Sequence, residues 1–200
     1  MRQRGQAKIE IKVKVDESHG DPGRRDSLAA RASAPTPARF QVISKGPDET
    51  VATACDCLIV VVERTVSTLG VNAIRRGLEQ LSAKHERVGY FSYIEGEQCS
   101  TMNASARELM ADVVQRYTTR FGAAAMVVSG GGFRSTVVRS ILTGIHLASR
   151  ASHPMRAFGT LAPAFAWYEQ VYPDRRLHAA ALRDALFELY PPSAQAIALV

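Results

Sequence analysis

Two hundred residues with 46% hydrophobic content suffice for one domain with its own buried core and leave room for an appendage. The net charge of +6 comes from ten basic against seven acidic residues in positions 1–50 and fifteen against twelve beyond. That even spread, despite a pI near 9.5, supplies no dense basic block to track a phosphate backbone, so nucleic-acid binding is not expected.

In chain order, the N-terminus Met1-Arg2-Gln3-Arg4 is basic but runs into alternating charge rather than an apolar signal core. No stretch is long and apolar enough to span a bilayer, and a soluble cytoplasmic protein is expected. Lys8 to Val15 alternates strictly, with Ile9, Ile11, Val13 and Val15 on one face; it reads as an edge strand, an interchain strand or a disordered stretch. Residues 16–39, rich in Gly, Pro and charge, cannot bury enough apolar surface to offset their ordering entropy. Positions 1–39 are therefore expected to be a flexible arm and linker.

From residue 40 the pattern becomes regular. Phe40–Ile43 reads as a short strand, and the turn Gly46-Pro47-Asp48 leads to a longer strand over Val51–Arg64, the two forming a hairpin. Cys55 and Cys57 lie at the start of that strand and Cys99 stands apart; with no C-x-x-C pair and no histidine nearby they read as reduced thiols at the edge of a core, not metal ligands. The spacing of Val71, Ile74, Leu78 and Leu81 predicts a helix over 68–85. A strand over 88–94 and a loop from Glu95 to Cys99 follow. Leu109, Val113, Tyr117 and Phe121 predict a second helix over 103–121, with Gly122 as its C-terminal cap. Next come a strand over 123–128, a glycine turn, a third helix with the stripe Val137, Ile141, Ile145 and Ala148, a strand over 155–158 and a helix over 161–172. Strands alternating with helices at this spacing mean a largely parallel sheet with right-handed crossovers. Residues 176–189 repeat a helical period and stop at Pro191-Pro192, so 40–173 reads as the domain and 174–200 as a helical appendage.

Two segments carry candidate sites. At the strand-to-helix turn, Gly130, Gly131 and Gly132 with Arg134 and Ser135 form either a tight turn or a modest anion-binding cradle at a helix N-terminus. The turn lacks the G-x-x-x-x-G-K-[ST] and G-x-G-x-x-G spacings, and Val127 stands where a nucleophile elbow around Ser129 needs glycine. Before the second helix, Ser100, Thr101 and Asn103 are good N-cap residues, and Ser105 with Glu108 has capping-box spacing. The alternative is that Ser100, Thr101 or Ser105 accepts a phosphate, whose charge would suit the helix dipole and change the surface offered to a partner. The histidines are dispersed; His85 and His153 read as surface features, and Phe165, Trp167 and Tyr168 as core or rim packing.

The element order, with Val127-Val128-Ser129-Gly130-Gly131-Gly132-Phe133-Arg134 leading into Val138-Arg139-Ser140-Ile141-Leu142-Thr143-Gly144, resembles the STAS fold. With Met155-Arg156-Ala157-Phe158-Gly159-Thr160-Leu161 and Ala164-Phe165-Ala166-Trp167, residues 55–172 resemble the SpoIIAA-like (STAS/SEC14-type) proteins. The resemblance implies an α/β domain: a mostly parallel or mixed sheet of four to five strands with helices packed on it. It also implies a non-enzymatic regulatory module that binds another cytoplasmic protein, a regulatory partner or kinase, with no cofactor and no metal. In the antagonist branch a phosphorylated Ser or Thr opens the second helix within an Asp-Ser-Ser/Thr-Gly-like turn. Here Cys99-Ser100-Thr101-Met102-Asn103-Ala104-Ser105 keeps the hydroxyls without that Asp and Gly, a degenerate form of the switch. The broader grouping implies an alternative, a domain that binds a small molecule or lipid. A third reading, a phosphate-processing enzyme at Gly130–Ser135, would draw on Glu95 and Glu97.

Overall fold

Cys57-Leu58-Ile59-Val60-Val61-Val62 is buried at every position, so its two faces must both be covered. The computed structural model describes residues 40–100, 102–130, 132, 136, 153–171 and 176–191, with side chains from 180 onward in the last stretch. In it this strand is β3 of a six-stranded sheet in sequence order. β1 (Phe40–Lys45) and β2 (Glu49–Ala54) precede it; β4 (Val88–Ile94), β5 (Phe121–Val128) and β6 (Met155–Phe158) follow. β1, β2 and β3 form an antiparallel meander, whereas β3 to β6 pair in parallel. The arm over 1–39 and the third helix expected from the sequence lie outside the described residues.

The sixth strand arises because the single strand expected over Val51–Arg64 is two. The chain reverses at Cys55-Asp56, where Ala54 pairs with Cys57 and Cys55 takes a left-handed φ of 53°. No Gly, Asn or Pro marks this turn, and a side chain held there costs about 1 kcal/mol, so sequence pattern reads straight through it. Cys55 is consequently exposed at the turn, while Cys57 is buried in the sheet.

Helix α1 (Thr68–Ser82) crosses from β3 to β4, and α2 (Ala104–Tyr117) from β4 to β5. Crossovers of the usual right hand in a sheet built steadily outward fall on one side. Val71, Ile74 and Leu78 of α1 and Val113 of α2 accordingly share a core with Leu58 and Val60 of β3. Ser67 caps α1, accepting from the Gly70 N–H at 3.1 Å while its hydroxyl donates to the buried Glu49 carboxylate at 2.6 Å. The second helix is shorter than expected, and Phe121-Gly122 open β5 instead of closing α2. Phe121 continues the i, i+4 run of Val113 and Tyr117, so helical period alone cannot separate the two; its edge contact with Tyr90 and its pairing with Val88 place it in the sheet.

The other face is covered from the C-terminus. Helix α3 (Leu161–Val171) and helix α4 (Arg176–Leu189) pack Phe165, Tyr168, Leu182, Ala185 and Leu186 against Ile59, Val61, Phe91 and Val127. Phe91 stacks on Phe165 at 5.1 Å and meets Tyr168 edge-on at 6.1 Å. Gly89, on β4, lies directly under the Tyr168 hydroxyl, and a Cβ there would run into it. Gly89→Ala should therefore lower stability by about 1–3 kcal/mol, the range of an overpacked core, as read from chemical denaturation. Adding Tyr168→Phe should restore part of that loss; a double variant no more stable than Gly89→Ala alone would place the clash elsewhere.

Candidate functional site

Because β3, β4 and β5 run parallel, the loops that follow them emerge at one edge of the sheet. Glu95 N–H donates to Val62 O at 2.8 Å, and Ser129 N–H to Ile94 O at 2.9 Å, extending the pairing into these loops. Ser100 is exposed, and its N–H and hydroxyl both donate to Arg64 O, at 2.6 and 3.3 Å. Arg64 in turn pairs with Asp48 at 2.6 Å. Asn103, not Ser100 or Ser105, caps α2: its side-chain oxygen accepts from the Ala106 N–H at 2.8 Å. Ser105 is exposed in the first turn of α2, past the N-cap position that the capping box suggested by its spacing with Glu108 requires.

Gly130 takes a φ of 91°, a left-handed conformation that suits glycine. The side chain against it is Glu97, whose Cγ would lie 2.9 Å from a Cβ at Gly130 and whose Oε1 would lie 3.7 Å from one at Gly132. The described part of the glycine turn thus faces a carboxylate, which repels an anion. Gly132 O accepts from the N–H and hydroxyl of Thr136, each at 3.3 Å. Thr101, Gly131, Arg134 and Ser135 lie outside the described residues. The structure brings Ser100 and Gly130 to the same edge, with Glu97 on the loop between them.

Sequence reasoning named Glu95 only as a carboxylate for a phosphate-processing site, and missed Tyr190 and the link between the two. Glu95 accepts from the Ser129 hydroxyl at 3.2 Å and from the Tyr190 hydroxyl at 2.6 Å, so both carboxylate oxygens are engaged. Tyr190 follows α4 and is 95 residues away in the chain; its ring lies 5.0 Å from that of Tyr93. Burial, and then the bond to the Glu95 carboxylate, push the Tyr190 phenol above its ordinary pKa. An acid whose folded pKa is raised stabilises the fold fully below its unfolded value, near 10, and loses that contribution as pH rises toward the folded value. Tyr190→Phe should cost about 1 kcal/mol at pH 7. Denaturation midpoints measured from pH 9 to 11 should fall less steeply in the variant than in the parent; parallel slopes would exclude Tyr190 from the alkaline loss.

A cavity of about 310 Å³ lies beside this edge, between α1, α2 and the sheet. Val60, Tyr90, Ser92, Ala124 and Met155 lie on its sheet side, and Met110 and Val113 on α2. None of its described lining residues is Asp, Glu, Lys or Arg. Met102, Met110, Met126 and Met155 all line it, which is every methionine of the chain apart from Met1. Val114, 46% exposed, also lines it, so the cavity reaches the surface along α2. His153 is not the surface residue expected: it is 6% exposed, lines the cavity and packs 5.2 Å from the Phe121 ring. The Ala124 N–H donates to Pro154 O at 2.9 Å, extending the sheet beyond β6 and drawing His153 inward. The gathering of methionines was the available signal, but their spread from 102 to 155 conceals it until the chain is folded.

No family model matches this chain, and no curated protein matches it. Among solved structures it is similar to an uncharacterized protein of the DUF3478 family from Shewanella loihica PV-4, described as having a SpoIIAA-like fold. That likeness has a TM-score of 0.46 at 11% identity and covers 64% of this chain and 91% of the other. The chain has a mixed α/β fold, a six-stranded sheet with helices on both faces.

Proposed function

We propose that this chain is a non-enzymatic binding module that takes a small apolar molecule into the cavity between α1, α2 and the sheet. The observation that carries this reading is the lining: about 310 Å³ with no Asp, Glu, Lys or Arg among the described lining residues and four methionines. Ligand pockets start near this size and are mostly apolar with a few polar groups. Unbranched, polarizable methionine side chains reshape around a guest at little cost, which suits a site that must open and close upon it.

Methionine methyl groups labelled with carbon-13 report the test directly. Naphthalene added to the full chain should shift the resonances of Met102, Met110, Met126 and Met155 and leave Met1 in place. Ala124→Leu, which fills the sheet side of the cavity, should abolish those shifts. Unmoved cavity methionines in the parent would sink the reading.

A second reading, a regulatory module for a cytoplasmic protein partner or kinase, is supported by the exposed hydroxyls of Ser100 and Ser105 beside the α2 N-terminus. The two readings share the loop between β4 and α2: Ser100 faces solvent, while Met102 lines the cavity. A guest that moves Met102 would therefore be felt at the surface a partner meets. Chain isolated from its native cells should, on this reading, carry one phosphate within peptide 99–107 by mass spectrometry. Unmodified peptide from cells grown under several conditions would count against the switch.

A further inference from the structure

The cavity also specifies what kind of guest it accepts, an inference that rests on its being a ligand site. Benzene, with six heavy atoms, occupies an engineered apolar cavity of about 150 Å³, so at similar filling the space here suits about twelve. Such a volume is too small to enclose a two-chain lipid. A charged guest is disfavoured on different grounds. With no Asp, Glu, Lys or Arg among the described lining residues, and His153 the titratable imidazole there, an ion would lose its hydration and meet no fixed counter-charge from them.

The lining is not wholly apolar. On β4, between Tyr90 and Ile94 on the cavity face, Ser92 is 2% exposed, and no hydrogen bond of standard length and angle satisfies its hydroxyl. Most buried hydroxyls have such a partner, and one without it raises the free energy of the empty state. The same strand face offers Val, Ile and Ala at neighbouring cavity positions, so an apolar side chain would fit here without that penalty. The polar group beside it is the Tyr90 phenol, neutral because burial pushes it up to about 12, with a weak hydrogen bond to the Ser92 hydroxyl acting in the opposite sense. A serine hydroxyl supplies one donor and two acceptor lone pairs, which match a hydroxyl or carbonyl oxygen.

We propose that the guest is a neutral, mainly apolar molecule of about twelve heavy atoms bearing one hydroxyl or carbonyl group, which hydrogen-bonds the Ser92 hydroxyl at the sheet side of the cavity. Serine 92 is then the polar anchor that orients the guest, and the methionines are the adaptable walls.

Titration of the methionine-labelled full chain at pH 7 with naphthalene, 2-naphthol and 2-naphthoate tests this. 2-Naphthol should bind about tenfold more tightly than naphthalene, the worth of one net hydrogen bond to a buried partner, and 2-naphthoate should give no cavity shifts. Ser92→Ala should reduce 2-naphthol to the affinity of naphthalene while leaving naphthalene unchanged. The variant should keep its unliganded methionine spectrum, which verifies its fold. Ser92→Thr, which keeps the hydroxyl, should keep the tenfold preference. Equal affinities of the two neutral probes for the parent, a preference that survives Ser92→Ala, or binding of 2-naphthoate as tight as that of 2-naphthol would each overturn the anchor while leaving the cavity as a ligand site. Silence of the cavity methionines toward all three probes would overturn the cavity reading and the anchor together.

Discussion

Burial of β3 on both faces is the constraint from which the rest of the architecture follows. Each of its six side chains is at most 4% exposed, and a large aliphatic side chain so placed contributes about 1.5–3 kcal/mol only while both faces stay covered. Leu58 and Val60 need one layer, Ile59 and Val61 another. The first layer comes from the crossovers α1 and α2, which the parallel pairing of β3, β4 and β5 obliges the chain to make. No described crossover supplies the second, so it is built from chain that follows β6: α3 brings Phe165 and Tyr168 onto Phe91, and α4 brings Leu182 and Leu186. The C-terminal helix is in this sense part of the domain's core.

The same parallel pairing creates the working edge. Strands that share a direction release their following loops at one end, the position where ligands of open α/β sheets are usually met. Here that edge is tied by Glu95, which gathers Ser129 from the next strand's end and Tyr190 from the end of α4. One carboxylate thereby links the glycine turn, the loop into α2 and the helix that covers the opposite face. The cavity lies next to this junction, where α2 and the sheet do not close fully upon each other. Methionine suits such a place because its flexible stem lets the walls relax around a gap that a branched side chain would leave rigid.

Much of this was legible from residue order. The stripe Val71, Ile74, Leu78 and Leu81 marks α1 because a period of 3.6 puts those four on one face, and all four are buried. The apolar runs of β3 and β5 announce strands covered on both sides. Local pattern failed wherever two structures share one signal. Cys55-Asp56 makes a tight turn with cysteine, not Gly or Asn, at the positive-φ position, and Phe121 satisfies helical spacing and strand pairing alike. The candidate site was legible only in part. Ser100 and Gly130 were found as loop and turn residues, and they do meet one edge; the cap went to Asn103, and the side chain against Gly130 is acidic. Glu95 and Tyr190 carry no pattern that relates them, since a hydrogen bond across 95 residues leaves no local trace.

By itself, then, the sequence determined roughly where most of the described strands and helices lie, that they alternate into a largely parallel α/β sheet, and which faces of α1 and α2 are apolar. Those properties depend on neighbours within a few positions, and periodicity records them. Only the tertiary structure decided that Met102, Met110, Met126 and Met155 surround one cavity, that Ser92 lines it and that His153 lies within its wall. Each of these facts depends on strand register and on where a helix comes to rest. Shifting a strand by one residue would turn Ser92 to the opposite face, and nothing in the local order of residues around it distinguishes a hydroxyl in a cavity from one packed in a core.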